Sequence, residues 1–245
     1  VIIPFSPTLH FLFESLAYLV GGHYYARLLK KDSHPDKESS AFGWVAVGAI
    51  LGAVIGSKLV FWLHCPDLLM TRLADPRQLM GGKTVLGGFL GGVIGVEFAK
   101  KRCGITAATG DIFVLPIMVG LMVGRIGCFL GGLSDGTHGL PSPLPWAVDF
   151  GDGIPRHPTQ LYELVLVALL FPVISLVRSR VPQAGDAFKL FMFAYLVWRL
   201  LGGFLKPRDV LYFHALSGIQ LASLAGLVYY FPHFLRIGVG ICRAK

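Results

Sequence analysis

The sequence predicts an all-α integral membrane protein with about seven transmembrane helices and a structured outer loop, its N-terminus outside and its C-terminus in the cytoplasm. Three observations predict it. First, only 15% of the 245 residues are charged and 54% are hydrophobic, where a soluble domain carries about 25% charged residues. With a mean hydropathy of +0.64, too little polar surface remains to cover a globule in water. Second, apolar stretches of spanning length recur along the whole chain. Third, basic residues cluster at alternate ends of those stretches, as the positive-inside rule requires. The formal net charge of +8 therefore points to cytoplasmic loops facing anionic lipid and not to nucleic acid.

The spans run roughly over residues 9–29, 41–64, 85–98, 112–133, 160–177, 188–205 and 212–235. The third is short and rich in glycine. Arg27, Lys30, Lys31 and Lys37 follow the first, Lys100, Lys101 and Arg102 the third, and Arg178 and Arg180 the fifth; Arg236, Arg243 and Lys245 close the chain. The segment 134–159, rich in Gly, Pro and charge, then lies on the outer side as a loop within one transmembrane domain, 1–245. Val1-Ile2-Ile3-Pro4 has neither the basic start nor the small-residue site of a cleavable signal. Glycines stand four apart in the second span (Gly48, Gly52, Gly56) and the third (Gly87, Gly91, Gly95), with Gly120 and Gly124 in the fourth. Such faces let helix backbones meet closely in lipid, so they are expected to pack and not to react.

An ionisable side chain at membrane depth costs at least about 2.5 kcal/mol on insertion scales and is a functional candidate by default. Glu14 shares a helix face with Tyr18, four residues on. Arg125 lies well inside the fourth span and Arg199 inside the sixth, while Arg156, His157, Gln160 and Glu163 flank the start of the fifth. Three arginines at or near the membrane suit a phosphate, because a guanidinium stays charged and presents a planar fork of donors. The competing role is structural, with each Arg paired to Glu14, Glu163, Asp149 or Asp152. His157 suits a general acid or base near neutral pH, or a loop-fixing hydrogen bond. Cys128 has Arg125 one turn before it, which favours a thiolate, but packing is its expected role. Lys58 and Glu97 are expected to snorkel. The four cysteines form no metal-binding spacing, and neither metal nor cofactor is expected.

Gly124-Arg125-Ile126-Gly127-Cys128-Phe129-Leu130, followed by Gly132 and Gly136, resembles the signature of prolipoprotein diacylglyceryl transferases. So does Pro155-Arg156-His157-Pro158-Thr159-Gln160-Leu161-Tyr162-Glu163. Gly81-Gly82-Lys83-Thr84-Val85-Leu86-Gly87-Gly88 is similar to that family's third segment, Arg199 with Phe204-Leu205-Lys206-Pro207 to its sixth, and Tyr18-Leu19-Val20-Gly21 to its first. The resemblance implies a seven-span enzyme of the bacterial inner membrane. It would transfer diacylglyceryl from phosphatidylglycerol to the lipobox cysteine of a preprotein, releasing glycerol phosphate. Its partners are then a phospholipid and a lipobox-containing preprotein.

Carried onto this chain, Arg125 and Arg199 would hold the lipid phosphate, with Gly136 lining the head-group site; Arg156, Tyr18, Asp135, Cys128 and Gln160 are further candidates for binding the substrate. His157 and Glu163 would shape the outer mouth. The chain departs from the family where a histidine of the third segment falls on Leu86, a first-span tyrosine on Glu14 and a first-span histidine on Leu12. The asparagines after the fourth-span arginine fall on Cys128 and Gly131, the following glutamate on Leu133 and the sixth-span glutamate on Gly203. A leucine moves no proton, so the expectation is that Glu14 replaces the missing proton path. With these departures the group transferred is diacylglyceryl or a related lipid-derived one and the acceptor a lipoprotein cysteine or a divergent one; the alternative is a lipid-binding or lipid-moving protein without catalysis. A solute carrier fits least, since no inverted repeat is visible.

Overall fold

The computed structural model describes residues 5–31, 40–68, 81–181, 183–207 and 210–243. Val1–Pro4, Lys37 and Lys245 lie outside them. Seven long helices stand among the described residues: α1 Pro7–Lys31, α2 Ser40–His64, α3 Val85–Cys103, α4 Gly110–Leu130, α5 Thr159–Val177, α6 Asp186–Gly202 and α7 Gly218–Arg243. The single sheet found there is a two-stranded ribbon, β1 Val148–Asp149 and β2 Pro155–Arg156. Four helices are long and apolar enough to cross a membrane, over Gly43–His64, Gly110–Leu130, Thr159–Val177 and Asp186–Leu205. The chain is thus a mostly helical protein with membrane-spanning segments.

The expected seventh span begins too early. Residues 212–217 form a tight turn instead of helix, with positive φ at Phe213 and His214 and a bridge between Tyr212 and Leu216. Apolar side chains alone suggest a helix there, but two consecutive left-handed residues cannot continue one. The Tyr212 hydroxyl donates to the Leu63 carbonyl at 2.8 Å, so the turn ties the start of α7 to the end of α2.

That tie, with others like it, fixes an up-and-down arrangement. At one end of the bundle meet the starts of α1, α3, α5 and α7 and the finishes of α2, α4 and α6. Ser6 N–H donates to the Leu130 carbonyl at 2.8 Å, and Leu140 N–H to that of Leu205 at 2.8 Å. At the opposite end, Asp111 at the start of α4 accepts from the backbone of Gly185 and Phe188, and Arg236 of α7 pairs with the buried Asp186 of α6. Lys100, Lys101, Arg102, Arg178 and Arg180 lie at that second end.

Backbone contact joins α2 to α3. A Cβ on Gly52 would stand 2.9 Å from the Gly95 Cα and nearer still to the Gly91 carbonyl oxygen; Gly48 and Gly56 meet Gly95, Gly87 and Gly91 in the same way. Absence of side chains lets dispersion contacts and close approach do what water-driven burial does in a soluble core. The outer face of α2 is apolar and uncovered, with Ile50 64%, Val54 57% and Leu59 57% exposed, as suits lipid. Gly120 and Gly124 meet Ala17 of α1 more loosely. The core proper lies among α3–α7, where Leu86, Met118, Phe191, Met192, Tyr195 and Leu196 are fully buried.

The outer segment is ordered by its backbone. Gly139 N–H donates to the His157 carbonyl, His157 N–H to that of Leu140, and Ser142 N–H to that of Pro155. Asp149 Oδ1 accepts from the N–H groups of Gly151, Asp152 and Gly153, closing the turn between β1 and β2. This platform sits over the finishes of α4 and α6. There the candidate residues gather.

Candidate active site

A carboxylate stands between two guanidinium groups. Glu163 begins the second turn of α5, and its Oε1 lies 2.7 Å from Arg125 Nη2 of α4. Its Oε2 accepts from Arg199 Nη1 of α6 at 3.1 Å. The Tyr195 hydroxyl, one turn before Arg199, donates to Oε1 at 2.8 Å. All four side chains are at least nine-tenths buried. Helical spacing explains the local geometry: Tyr195 and Arg199 are four apart on α6, and Gln160 and Glu163 three apart on α5, so each pair shares a face.

The charges do not cancel. Two guanidiniums share one carboxylate, leaving one net positive charge in a buried site. The Nε atoms of both Arg125 and Arg199 are buried without a partner among the described residues, as are both side-chain atoms of the Gln160 amide. Buried donors left unpaired are costly, and these nitrogens are free to donate to further acceptor oxygens. Lys206, just past α6, adds to the field. Burial, then the neighbouring Arg199 and Arg125, push its ammonium down to about 7, against the pull of Glu163.

Beside this centre lies a second polar cluster. Arg125 Nη1 reaches Cys128 Sγ at 3.5 Å. The ligand-type atoms of Cys128, His10 and Asp135 lie within 4.8 Å of one another. His10 Nδ1 is 3.1 Å from Asp135 Oδ1, and its Nε2 is 3.7 Å from Glu14 Oε2. Asp135 also accepts from the Thr137 hydroxyl. Glu14 is paired with Lys83 and accepts from the Tyr18 hydroxyl at 3.3 Å.

The sequence-derived candidates thus separate. Arg125, Arg199, Glu163 and Gln160 come together, and Cys128, Asp135 and Glu14 flank them. Glu163 is not at the outer mouth, as its place at a span edge suggested, but is the anion that binds both arginines. Arg156 does not join them: its Nη1 donates to Asp152 Oδ1 at 2.6 Å and to the Ile154 carbonyl at 3.0 Å within the outer loop, a pairing that lowers the Asp152 carboxyl. His157 serves the loop, its Nδ1 3.1 Å from a Tyr162 hydroxyl that also accepts from Trp146 Nε1. Tyr18 is 72% exposed on the outside of α1. Gly136 caps a 3-10 turn, Gly132–Asp135, at φ 66°, a left-handed conformation that favours glycine. Glu14, the expected replacement for the missing proton path, is paired with Lys83.

Lys58 Nζ donates to the Gly81 and Gly82 carbonyls, holding the turn that carries Lys83. Sequence reasoning missed His10, Lys83, Tyr195 and Lys206. Two left a local signal in helical spacing, Tyr195 four residues before Arg199 and His10 four before Glu14. His10 meets Asp135 across 125 residues and Lys83 meets Glu14 across 69, which no periodicity encodes.

A helical bundle with candidate membrane spans, one end of which buries two arginines on a single carboxylate, defines the class as a helical membrane protein with a buried, net-positive centre. Comparison with known proteins gives the family. The chain belongs to the prolipoprotein diacylglyceryl transferase family, whose model matches residues 2–235. A relative from Rhodospirillum rubrum is 32% identical over 231 residues, covering 87% of this chain and 82% of that protein. One from Legionella pneumophila is 30% identical over 246 residues, covering 94% and 91%. One from Nitratidesulfovibrio vulgaris is 36% identical over 169 residues, covering 66% and 62%. Each is named phosphatidylglycerol–prolipoprotein diacylglyceryl transferase.

Proposed function

We propose that this chain transfers the diacylglyceryl group of phosphatidylglycerol to a cysteine thiol of a prolipoprotein, in the bacterial inner membrane. Its seven helices would all span, with the site end outside and the basic helix ends in the cytoplasm. The single observation that carries the reading is the pair of buried guanidiniums sharing Glu163 with both Nε donors unmet. Four names from the family's relatives and the whole-chain family match support it.

The chemistry follows from that geometry. Displacement at the glycerol carbon forms a C–S bond and breaks the C–O bond to phosphorus, so negative charge grows on the departing glycerol phosphate. Arg125 and Arg199 receive that charge through donors already in place, which is where electrostatic stabilisation is most effective. Glu163 and Tyr195 hold the guanidiniums in register so that they need not reorganise. Gln160 offers an amide to the glycerol or phosphate oxygens from the same helix face as Glu163.

The test uses the purified chain in vesicles of phosphatidylglycerol or of phosphatidylethanolamine, with a lipobox peptide and mass spectrometry of the peptide. The expected result is a diacylglyceryl mass gain with phosphatidylglycerol. Arg125→Ala and Arg199→Ala should each lower the rate by about 100-fold or more, the scale of a lost oxyanion donor. Arg156→Ala, which removes a surface pair, should stay within about threefold. Lipid binding with no mass gain would replace the transferase reading with a lipid-binding one.

A further inference from the structure

A thiol reacts as its thiolate, so the transfer needs a group that takes the thiol proton beside the phosphate site. The departures Leu86 and Glu14 remove the residues expected for it. Leu86 is buried in the apolar core, and Glu14 is engaged by Lys83 and Tyr18. Lys206 feels the charges of Arg199, Arg125, Glu163 and Cys128 and belongs to the cationic centre. His10 is a nitrogenous base that stands between two carboxylates.

We infer that His10 is the general base for the incoming thiol and that Asp135 is its positioning partner. This rests on the transferase reading and extends it to residues that no resemblance singled out. The geometry is threefold. His10 lies one side chain from the phosphate centre, through Cys128, whose Sγ is 3.5 Å from Arg125. Its ring stands between two carboxylates, with Nδ1 3.1 Å from Asp135 and Nε2 3.7 Å from Glu14. Nδ1 is buried and not aligned as a hydrogen bond, so Asp135 acts on the ring chiefly through charge. Nε2 is beyond hydrogen-bond distance of Glu14, which leaves that nitrogen for an approaching thiol.

The step balances. The thiol proton passes to His10 Nε2, and the thiolate sulfur attacks the glycerol carbon. The C–O electron pair leaves on glycerol phosphate, and the imidazolium then returns its proton to that phosphate or to water. The charged and titratable groups around the ring are Glu14 on its own helix, Asp135 on the turn after α4, Cys128 and Arg125 on α4, and Lys83 before α3. His10, Cys128 and Asp135 also have the span of a metal site, but Arg125 already donates to the sulfur. A cation there would sit against a guanidinium.

The experiment compares the intact chain with His10→Gln and Asp135→Asn in phosphatidylglycerol vesicles, measuring peptide transfer against pH and, separately, lipid-induced thermal stabilisation. His10→Gln is expected to slow transfer by about 100-fold, to abolish the acid limb of the pH–rate profile, and to leave lipid stabilisation intact. Asp135→Asn, which removes the carboxylate beside Nδ1, is expected to slow transfer, to change that limb and to leave lipid stabilisation intact. Transfer by His10→Gln at more than half the unmutated rate, or with the same acid limb, overturns the inference while leaving the transferase reading in place. Stoichiometric metal on the intact chain that is lost in His10→Gln overturns it too. An unmutated chain that makes no diacylglyceryl peptide brings down both.

Discussion

Glu163→Gln is the most informative single perturbation of the centre. Oε1 and Oε2 together meet Arg125 at 2.7 Å, Arg199 at 3.1 Å and Tyr195 at 2.8 Å. Glutamine keeps one acceptor and turns an N–H₂ toward a guanidinium, so two buried cations lose their shared anion. Removing one partner of a buried ion pair costs about 3–5 kcal/mol. At about 2–4 °C per kcal/mol for a chain of this size, the expected fall in Tm is on the order of 10 °C. The assay is thermal unfolding in detergent, with and without phosphatidylglycerol. Because the freed guanidiniums should welcome a phosphate, lipid should raise the Tm of the variant more than that of the unmutated chain. A Tm loss of a degree or two, or a variant that lipid stabilises less, would refute the view that Glu163 holds the arginines for an incoming anion.

Two further predictions concern different parts of the molecule. Lys206 is pushed down to about 7, so it is protonated below that pH and loses its charge above it. Affinity for an anionic lipid should therefore weaken as pH rises through about 7, by up to about tenfold for one charged hydrogen bond. Lys206→Arg, charged throughout, should flatten that dependence in a titration of lipid binding. At the glycine seam, Gly52→Val should force α2 from α3, because the added Cβ meets the backbone of Gly91 and Gly95. A backbone neighbour cannot rotate away, so destabilisation of at least about 1–3 kcal/mol is expected. The measurement is the Tm in detergent, and Gly22→Val, which meets nothing within 4 Å, is the control.

Helix positions were legible because hydropathy and glycine spacing are local properties, and six of the seven long helices lie where those properties put them. The seventh was misplaced because Tyr212, Phe213 and Ala215 look apolar, while the turn they form depends on backbone angles. Arg125 and Arg199 stood out since an ionisable group in a span has few other uses. What joins them stood in the sequence only as one of several alternatives, each Arg paired to Glu163 or to another carboxylate. The resemblance put Glu163 at the outer mouth, yet α5 begins beneath the loop platform, and Thr159, Gln160 and Glu163 are buried. Arg156 looked equivalent to the other arginines, but Asp152, four residues away, takes it first. His10 and Asp135 lie on separate helix ends whose meeting is a property of the bundle and not of either segment.

The glycine seam has a bearing on how a two-tailed substrate enters. Where main chain rests on main chain, there is no side-chain layer to swing aside, and α2 with α3 behaves as a single stiff plank. A lipid sliding in from the bilayer must part some other pair of helices. The line between α1 and α4 is looser where Gly120 and Gly124 leave Ala17 more room, but it closes again beside Cys128 and His10, where a Cβ on Gly127 would meet that of Phe13 at 2.6 Å. Two of the bundle's seams are therefore shut at the end where the arginines lie.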